Sequence, residues 1–183
     1  LGELTQSKPA MVMVVDRMRL MLFTNHMAMG QVCGYVRTVR GLGRLVLADP
    51  ALRDMGIARP SIAVAGLNPH ASENGLFGRE ELDQIGPAIE AARARGIDAH
   101  GPFPADTVFL KARDGVYDLT IALYHDQGLM AVKLVGFGRV VTLLTGLPLI
   151  RTSTGHGTAS DIAGKNVADH RNLLEAVRVA SEV

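Results

Sequence analysis

Val116-Tyr-Asp-Leu-Thr-Ile-Ala-Leu-Tyr-His-Asp-Gln-Gly128 is the stretch that decides how the rest of the chain is read. Its first eight residues, Val116 to Leu123, form a largely apolar, β-rich run, the pattern of a strand buried in a parallel sheet. The polar residues after it then fall in the crevice beyond the strand's carboxyl end, where open α/β sheets bind ligands. His125 and Asp126 put a metal-ligand type and an acid–base type side by side at that place. Other functional residues are expected to converge on it.

Working outward, two further histidines share this context. Ser61 to Leu67 reads as a strand and runs into the loop Asn68-Pro-His-Ala-Ser-Glu-Asn-Gly75, too long for a tight hairpin turn. Ala10 to Val15 and Arg19 to Thr24 read as two strands joined by a short polar link, hence a hairpin, and the second runs straight into Asn25-His26. A hairpin beside parallel strands predicts a mixed sheet. Apolar spacing predicts helices over Gln31 to Ala48, ended by Asp49-Pro50, and over Arg79 to Arg95, kinked at Pro87 and capped by Gly96. Ile97 to His100 reads as a short strand, with a helical turn starting at Asp106 as its N-cap. Gln127 to Leu134 reads as a helix, and Val140 to Leu144 and Leu147 to Ile150 as strands. Arg151 to Asn166 has loop chemistry, and a last helix carries Leu173, Leu174, Val177 and Ala180.

Composition narrows the function class. A formal charge of +1 with no tryptophan argues against nucleic acid or an anionic membrane as a general partner. No apolar run reaches the roughly 20 residues of a membrane-spanning helix, and no signal peptide is visible. The single cysteine, Cys33, fits a reducing compartment and so the cytoplasm. The chain begins at Leu1 rather than Met, which fits processing or the later part of a longer polypeptide.

Three histidines at equivalent strand ends, His26, His70 and His125, have the ligand number of a catalytic metal site with an open position. Each taken singly also fits an ordinary polar loop residue. Asp106 and Asp126 are candidate partners or further ligands, and an N-cap role for Asp106 is compatible with that. Lys133 and Arg151 suit a substrate carboxylate or phosphate, although either alone also reads as a surface charge. Gly155-His-Gly-Thr-Ala-Ser-Asp-Ile-Ala-Gly164 is polar and bracketed by glycines, a ligand loop whose backbone N–H groups suit a nucleotide.

Taken together, Gly66-Leu-Asn-Pro-His-Ala71, Gly101-Pro-Phe-Pro-Ala-Asp-Thr107, Tyr124-His-Asp-Gln-Gly128, Gly136-Phe-Gly138, Gly146-Leu-Pro148, Ile150-Arg-Thr-Ser153 and His156-Gly-Thr-Ala159 closely resemble the 4-hydroxythreonine-4-phosphate dehydrogenase family of vitamin B6 synthesis. The resemblance implies an α/β fold of the isocitrate/isopropylmalate dehydrogenase type, a mixed sheet with flanking helices that is the second domain of a two-domain homodimeric enzyme. On that basis residues 1–162 are the metal, substrate and dimerisation domain. Residues 163–183 carry a C-terminal helix that packs on an N-terminal domain not among these residues.

The same resemblance makes His26, His70 and His125 the ligands of a divalent metal (Zn, Mg or Co), with His125 supplied to the other subunit's site. Lys133, Asp106 and Asp126 become the catalytic group; Lys133, Thr142 and Arg151 the substrate contacts; and His156, Gly157, Thr158, Ala159, Asp161 and Asn166 the contacts to NAD or NADP. The implied reaction is NAD(P)-linked oxidation, with decarboxylation, of 4-phosphohydroxy-L-threonine. Two departures stand out: Thr142 replaces an asparagine of the family, and Gly155 an acidic residue. They keep open a relative that oxidises another hydroxy acid phosphate or an aromatic cis-dihydrodiol. The missing N-terminal domain, with its His-Thr phosphate contacts, keeps open a non-catalytic module.

Overall fold

From the amino end, a short helix α1 (Gly2–Thr5) leads into the antiparallel hairpin β1 (Ala10–Val15) and β2 (Met18–Leu22) in a computed structural model that describes residues 1–183. Two helices follow, α2 (Met29–Tyr35) and α3 (Thr38–Asp54), then β3 (Ser61–Ala65). A 3-10 turn at Pro69–Glu73 and a π-turn at Glu81–Ile85 precede α4 (Gly86–Arg93). Next come β4 (Asp98–Phe103), α5 (Ala105–Arg113), β5 (Leu119–Ala122), α6 (His125–Gly136), β6 (Val141–Thr145), β7 (Arg151–Thr154) and α7 (Arg171–Glu182).

The strands make one mixed sheet in the order β4-β3-β5-β2-β1-β6-β7. The first four are mutually parallel, and the remaining pairings are antiparallel. β5 is buried at every residue and lies inside the parallel half. One face of the sheet packs under α3, α4 and α7 through residues such as Val12, Ile62, Leu45 and Ile89. The other face packs under α6, through Met13, Leu20 and Val132. α6 lies close to the sheet because two of its residues lack a Cβ. A methyl on Gly128 would sit 2.6 Å from Leu20 Cδ2, and one on Gly136 would sit 2.5 Å from Val15 Cγ2. No helix is long and apolar enough to cross a membrane.

Several elements differ from the sequence expectation, each for a physical reason. The single helix expected over Gln31 to Ala48 is two helices, because Val36 and Arg37 are extended. The second is started from outside: Gln84 Oε1 accepts the backbone N–H of Thr38 at 2.9 Å. Pro50 does not end α3, whose last turn buries Ala51 and Leu52 and carries an Arg53–Asp49 ion pair at 2.8 Å. Pro87 falls in the first turn of α4, where no N–H is needed, and the preceding turn is of π type. The strand expected at Leu147 to Ile150 is absent; the edge strand is Arg151–Thr154, inside the stretch read as loop. In α7 the expected stripe Leu173, Leu174 and Val177 is exposed, and the buried side is Asn172, Ala176 and Val179.

Candidate active site

The four parallel strands all end at one edge of the sheet, and a candidate functional group follows each of them. Across that edge Asp106 follows β4, His70 follows β3, His125 and Asp126 follow β5, and His26 follows β2. The ends of β2 and β5 stay in register beyond the strands. Phe23 N–H donates to Ala122 O at 2.7 Å, and the buried Thr24 hydroxyl donates to Leu123 O at 2.8 Å. Two residues further along each chain, the rings of His26 and His125 lie 5.3 Å apart, centre to centre, inclined at 42°. Arg44 Nε donates to Phe23 O at 3.2 Å and braces the same turn.

His125 opens α6, and Asp126 Oδ1 lies 2.7 Å from its Nδ1. With the proton on Nδ1, Nε2 is the free ligand atom, the carboxylate–imidazole arrangement that metal sites use. This donor chemistry fits a divalent cation. The expected third ligand, His70, stands apart from that pair. Its ring packs edge-on to Phe77 at 6.1 Å, and its Nδ1 faces Glu73 Oε2 at 3.7 Å. Within one chain no group of three histidine, cysteine or acidic side chains converges on a metal-sized point. Within one chain His26 lies beside His125 and His70 lies apart, whereas the resemblance takes His125 from the other subunit.

The His70 loop has an unusual backbone. His70, Ala71, Ser72, Glu73 and Asn74 are five consecutive left-handed residues, with φ between 46° and 68°. Such conformations cost L-residues about 1–2 kcal/mol each and persist where surroundings impose them, commonly at functional sites. Asp106 is exposed in the first turn of α5 and makes no capping bond; the residue at the cap is Pro104. The N-cap expected of Asp106 is not formed, because the helix begins two residues earlier than the sequence indicated.

Lys133 lies elsewhere. It is eight residues along α6 from His125, about 12 Å at 1.5 Å per residue, and α6 runs from the histidine edge to the far edge, where Gly136 meets Val15 at the end of β1. There Lys133 lines a cavity of about 390 Å³ with Gly155, His156, Ala159, Arg171 and Asn172. An adjoining cavity of about 470 Å³ is lined by His156, Thr158, Ala159 and Asn166. Four of the six residues expected at a nucleotide thus share one concavity; Gly157 and Asp161 line neither. In one chain Lys133 is grouped with this loop rather than with Asp106 and Asp126.

Arg171 also shapes the charge there. Its guanidinium and its backbone N–H bond Asp169 and hold that carboxyl well below the usual carboxylate range. Thr142 and Arg151 lie on one face of the β6–β7 ribbon, Thr142 opposite Ser153 and Leu144 opposite Arg151. Arg151 Nη1 reaches Ser153 Oγ at 3.5 Å.

Three residues not singled out from the sequence organise these regions. Glu81 and Gln127, both buried, hold the start of the His70 loop. Asn172, also buried, accepts from Gly155 N at 2.9 Å and donates to Val140 O at 2.8 Å, which fastens the glycine-bracketed loop to α7. Gln127 lies inside the quoted motif and was open to notice there. Glu81 and Asn172 carry no local signal, because their partners are distant in the chain.

A mixed α/β sheet with its ligand-type residues gathered along one strand edge defines the class. The chain belongs to the PdxA family: the family described as pyridoxal phosphate biosynthetic protein PdxA matches residues 1–180. It is 48% identical, over 174 residues, to a 4-hydroxythreonine-4-phosphate dehydrogenase of Beijerinckia indica subsp. indica, covering 95% of this chain and 52% of that protein. It is 44% identical, over 184 aligned positions, to the D-threonate 4-phosphate dehydrogenase of Salmonella typhimurium, covering 100% of this chain and 56% of that protein. The crystal structure of 4-hydroxythreonine-4-phosphate dehydrogenase from Klebsiella pneumoniae superposes with a TM-score of 0.90 at 42% identity, covering 99% of this chain and 55% of that one. The chain spans about half the length of the curated relatives it matches.

Proposed function

We propose that this chain is the metal-binding and dimer-forming part of a cytoplasmic NAD(P)-linked dehydrogenase that oxidises, and then decarboxylates, a phosphorylated four-carbon hydroxy acid. The observation that carries this reading is the delivery of Asp106, His70, His125 and His26 to one edge by four adjacent parallel strands. His26, His125 and His70 would hold a divalent cation, and the cation would polarise the alcohol oxygen of the substrate as a Lewis acid. NAD or NADP, held against the loop from His156 to Asn166, would accept the hydride. Asp126 orients the His125 ring, Arg151 and Thr142 offer donors to the substrate's anionic groups, and Lys133 and Asp106 are the candidates for proton transfer.

The histidines and Lys133 lie at opposite ends of α6, so a single protomer does not close the site. Met130, Leu134 and Phe137 form an exposed stripe along α6 at 58, 87 and 82% accessibility. Two copies paired antiparallel through that stripe would bring the histidine end of one to the Lys133 end of the other, which supports a homodimer. The exposed Leu173, Leu174 and Val177 of α7 supply the matching face for an N-terminal domain, with residues 1–162 as the body of a second domain in an isocitrate/isopropylmalate dehydrogenase-like enzyme.

The substrate we favour is 4-phosphohydroxy-L-threonine, in vitamin B6 synthesis. A second reading, D-threonate 4-phosphate, is favoured by the 44% identity to the D-threonate 4-phosphate dehydrogenase of Salmonella typhimurium. The test is turnover of both compounds by the polypeptide, with NAD or NADP and added Zn, Mg or Co. Reduction of the nucleotide with either substrate supports the reading and chooses between the two; no reduction with either, in a polypeptide that includes the preceding half, ends it.

A further inference from the structure

We infer that Glu81 and Gln127 are positioning residues for His70, forming one buried hydrogen-bond network that locks the His70 loop against the start of α6. This rests on the reading of His70 as a metal ligand.

Three consecutive backbone groups at the exit of β3 are held by side chains from elsewhere. Gly66 O accepts from Gln127 Nε2 at 2.9 Å, and the N–H groups of Leu67 and Asn68 donate to Glu81 Oε1 at 2.8 and 2.7 Å. Glu81 Oε2 also accepts from Asn68 Nδ2 at 2.9 Å. Gln127 uses its other end as well, accepting from Leu123 N at 2.7 Å. One amide side chain therefore spans the ends of β3 and β5, the strands that precede His70 and His125.

Both side chains are sequestered, Glu81 at 2% exposure and Gln127 at 9%. A buried carboxylate is retained only where its hydrogen bonds are met, and here three N–H donors meet them. The fit is close: a methyl on Gly66 would lie 2.9 Å from Ala71 Cα and 3.2 Å from Glu81 Oε1. Two residues beyond the network the backbone enters its five left-handed residues, of which His70 is the first. A disfavoured backbone keeps one shape only if its ends are pinned. Glu81 and Gln127 pin the upstream end, and Ser72 O, accepting from Gly75 N and Phe77 N at 3.0 and 3.1 Å, closes the downstream end.

The experiment is calorimetric titration with Co²⁺ alone on the full chain, for wild type, His70→Ala, Glu81→Asp, Glu81→Gln, Gln127→Met and the double variant His70→Ala/Glu81→Asp. Folding is checked by thermal unfolding. Glu81→Asp withdraws the acceptor by one methylene and is expected to weaken Co²⁺ binding about 10- to 100-fold, the usual range for partners that orient ligands. Glu81→Gln keeps an oxygen for the Leu67 and Asn68 N–H groups but turns an NH2 towards Asn68 Nδ2, two donors face to face, and is expected to lose less affinity than Glu81→Asp. In the His70→Ala background Glu81→Asp is expected to cost nothing further. If Glu81→Asp does not fold, Gln127→Met reports the same loss from the other side of the loop. Wild-type affinity in Glu81→Asp or Gln127→Met, or an equal loss with and without His70, overturns the inference while leaving His70 a ligand. Wild-type affinity in His70→Ala, or no Co²⁺ binding by the wild type, overturns the ligand reading itself and this inference with it.

Discussion

Thr24 donates its hydroxyl to the carbonyl oxygen of Leu123 at 2.8 Å, in a part of the core where both residues are buried. The bond extends the β2–β5 pairing past the last strand residues, so the two backbones leave the sheet in step. His26 and His125 each follow two residues later, which is why their rings meet. The side-chain geometry of the pair is inherited from a backbone register fixed inside the protein.

Thr24→Val keeps the shape of the side chain and removes this donor. The change is expected to lower stability by about 1 kcal/mol, the net worth of one intramolecular hydrogen bond. Urea denaturation read by circular dichroism checks it, and a midpoint unchanged from wild type would show that the hydroxyl contributes nothing. Divalent-metal affinity should change little in the same variant, because the backbone bonds from Phe23 N–H to Ala122 O and from Thr24 N–H to Leu123 O still hold the two strand ends in register.

Gly128 and Gly43 make a contrasting pair. Alanine at Gly128 brings a methyl within 2.6 Å of Leu20 and 3.0 Å of Ala122, in a close-packed layer. Overpacking of this kind costs about 1–3 kcal/mol. Alanine at Gly43, in the interior of α3, meets nothing within 4 Å. There the gain in helix propensity should stabilise the protein by about 0.8–1 kcal/mol. Thermal melts of the two variants should therefore shift in opposite directions.

Asp169 should remain ionised in acid. In the unfolded chain an aspartate takes up its proton near pH 3.9; in the folded chain Arg171 depresses that value. The sign follows: the pair's contribution is fully present above about pH 3.9 and is lost only as pH falls through the lower folded value. Because the group is exposed, the effect on global stability is small. A carboxyl-carbon NMR titration should place the Asp169 midpoint below about 3.9. Arg171→Gln should raise it towards that value without reaching it, because the backbone N–H at position 171 still donates to the carboxylate.

Leu134→Glu tests the pairing surface. Leu134 is 87% exposed, so the substitution leaves the fold of a lone protomer undisturbed. If α6 forms the seam between copies, sedimentation equilibrium should find wild type as a dimer and this variant as a monomer. An unchanged dimer in the variant would place the seam elsewhere.

How far the sequence could be read depended on whether a residue's partners were local. The buried strands β3 and β5 and the hairpin were legible because an apolar, β-rich run of that length has few other homes. The strand-end context of His26, His70 and His125 was legible for the same reason. The break between α2 and α3 was not, because the group that starts α3 is Gln84, 46 residues away. The edge strand β7 was hidden because Arg151-Thr-Ser-Thr154 is polar and half-exposed, and only pairing with β6 makes it a strand. The separation of Lys133 from His125 was legible in part, since Gln127 to Leu134 read as a helix and eight helical residues span about 12 Å. That this helix crosses the sheet from the histidine edge to the loop at Gly155 was not, because the order of the strands beneath it sets its course.

That last feature makes α6 a ruler. Each residue of an α-helix adds about 1.5 Å and turns the next by about 100°, so the twelve residues from His125 to Gly136 fix both the distance and the facing of the groups at either end. An insertion would lengthen the span and a deletion shorten it, and either would rotate Gly128 or Gly136 off the sheet, putting a bulkier neighbour where only hydrogen fits. Length variation among natural variants should accordingly spare this helix.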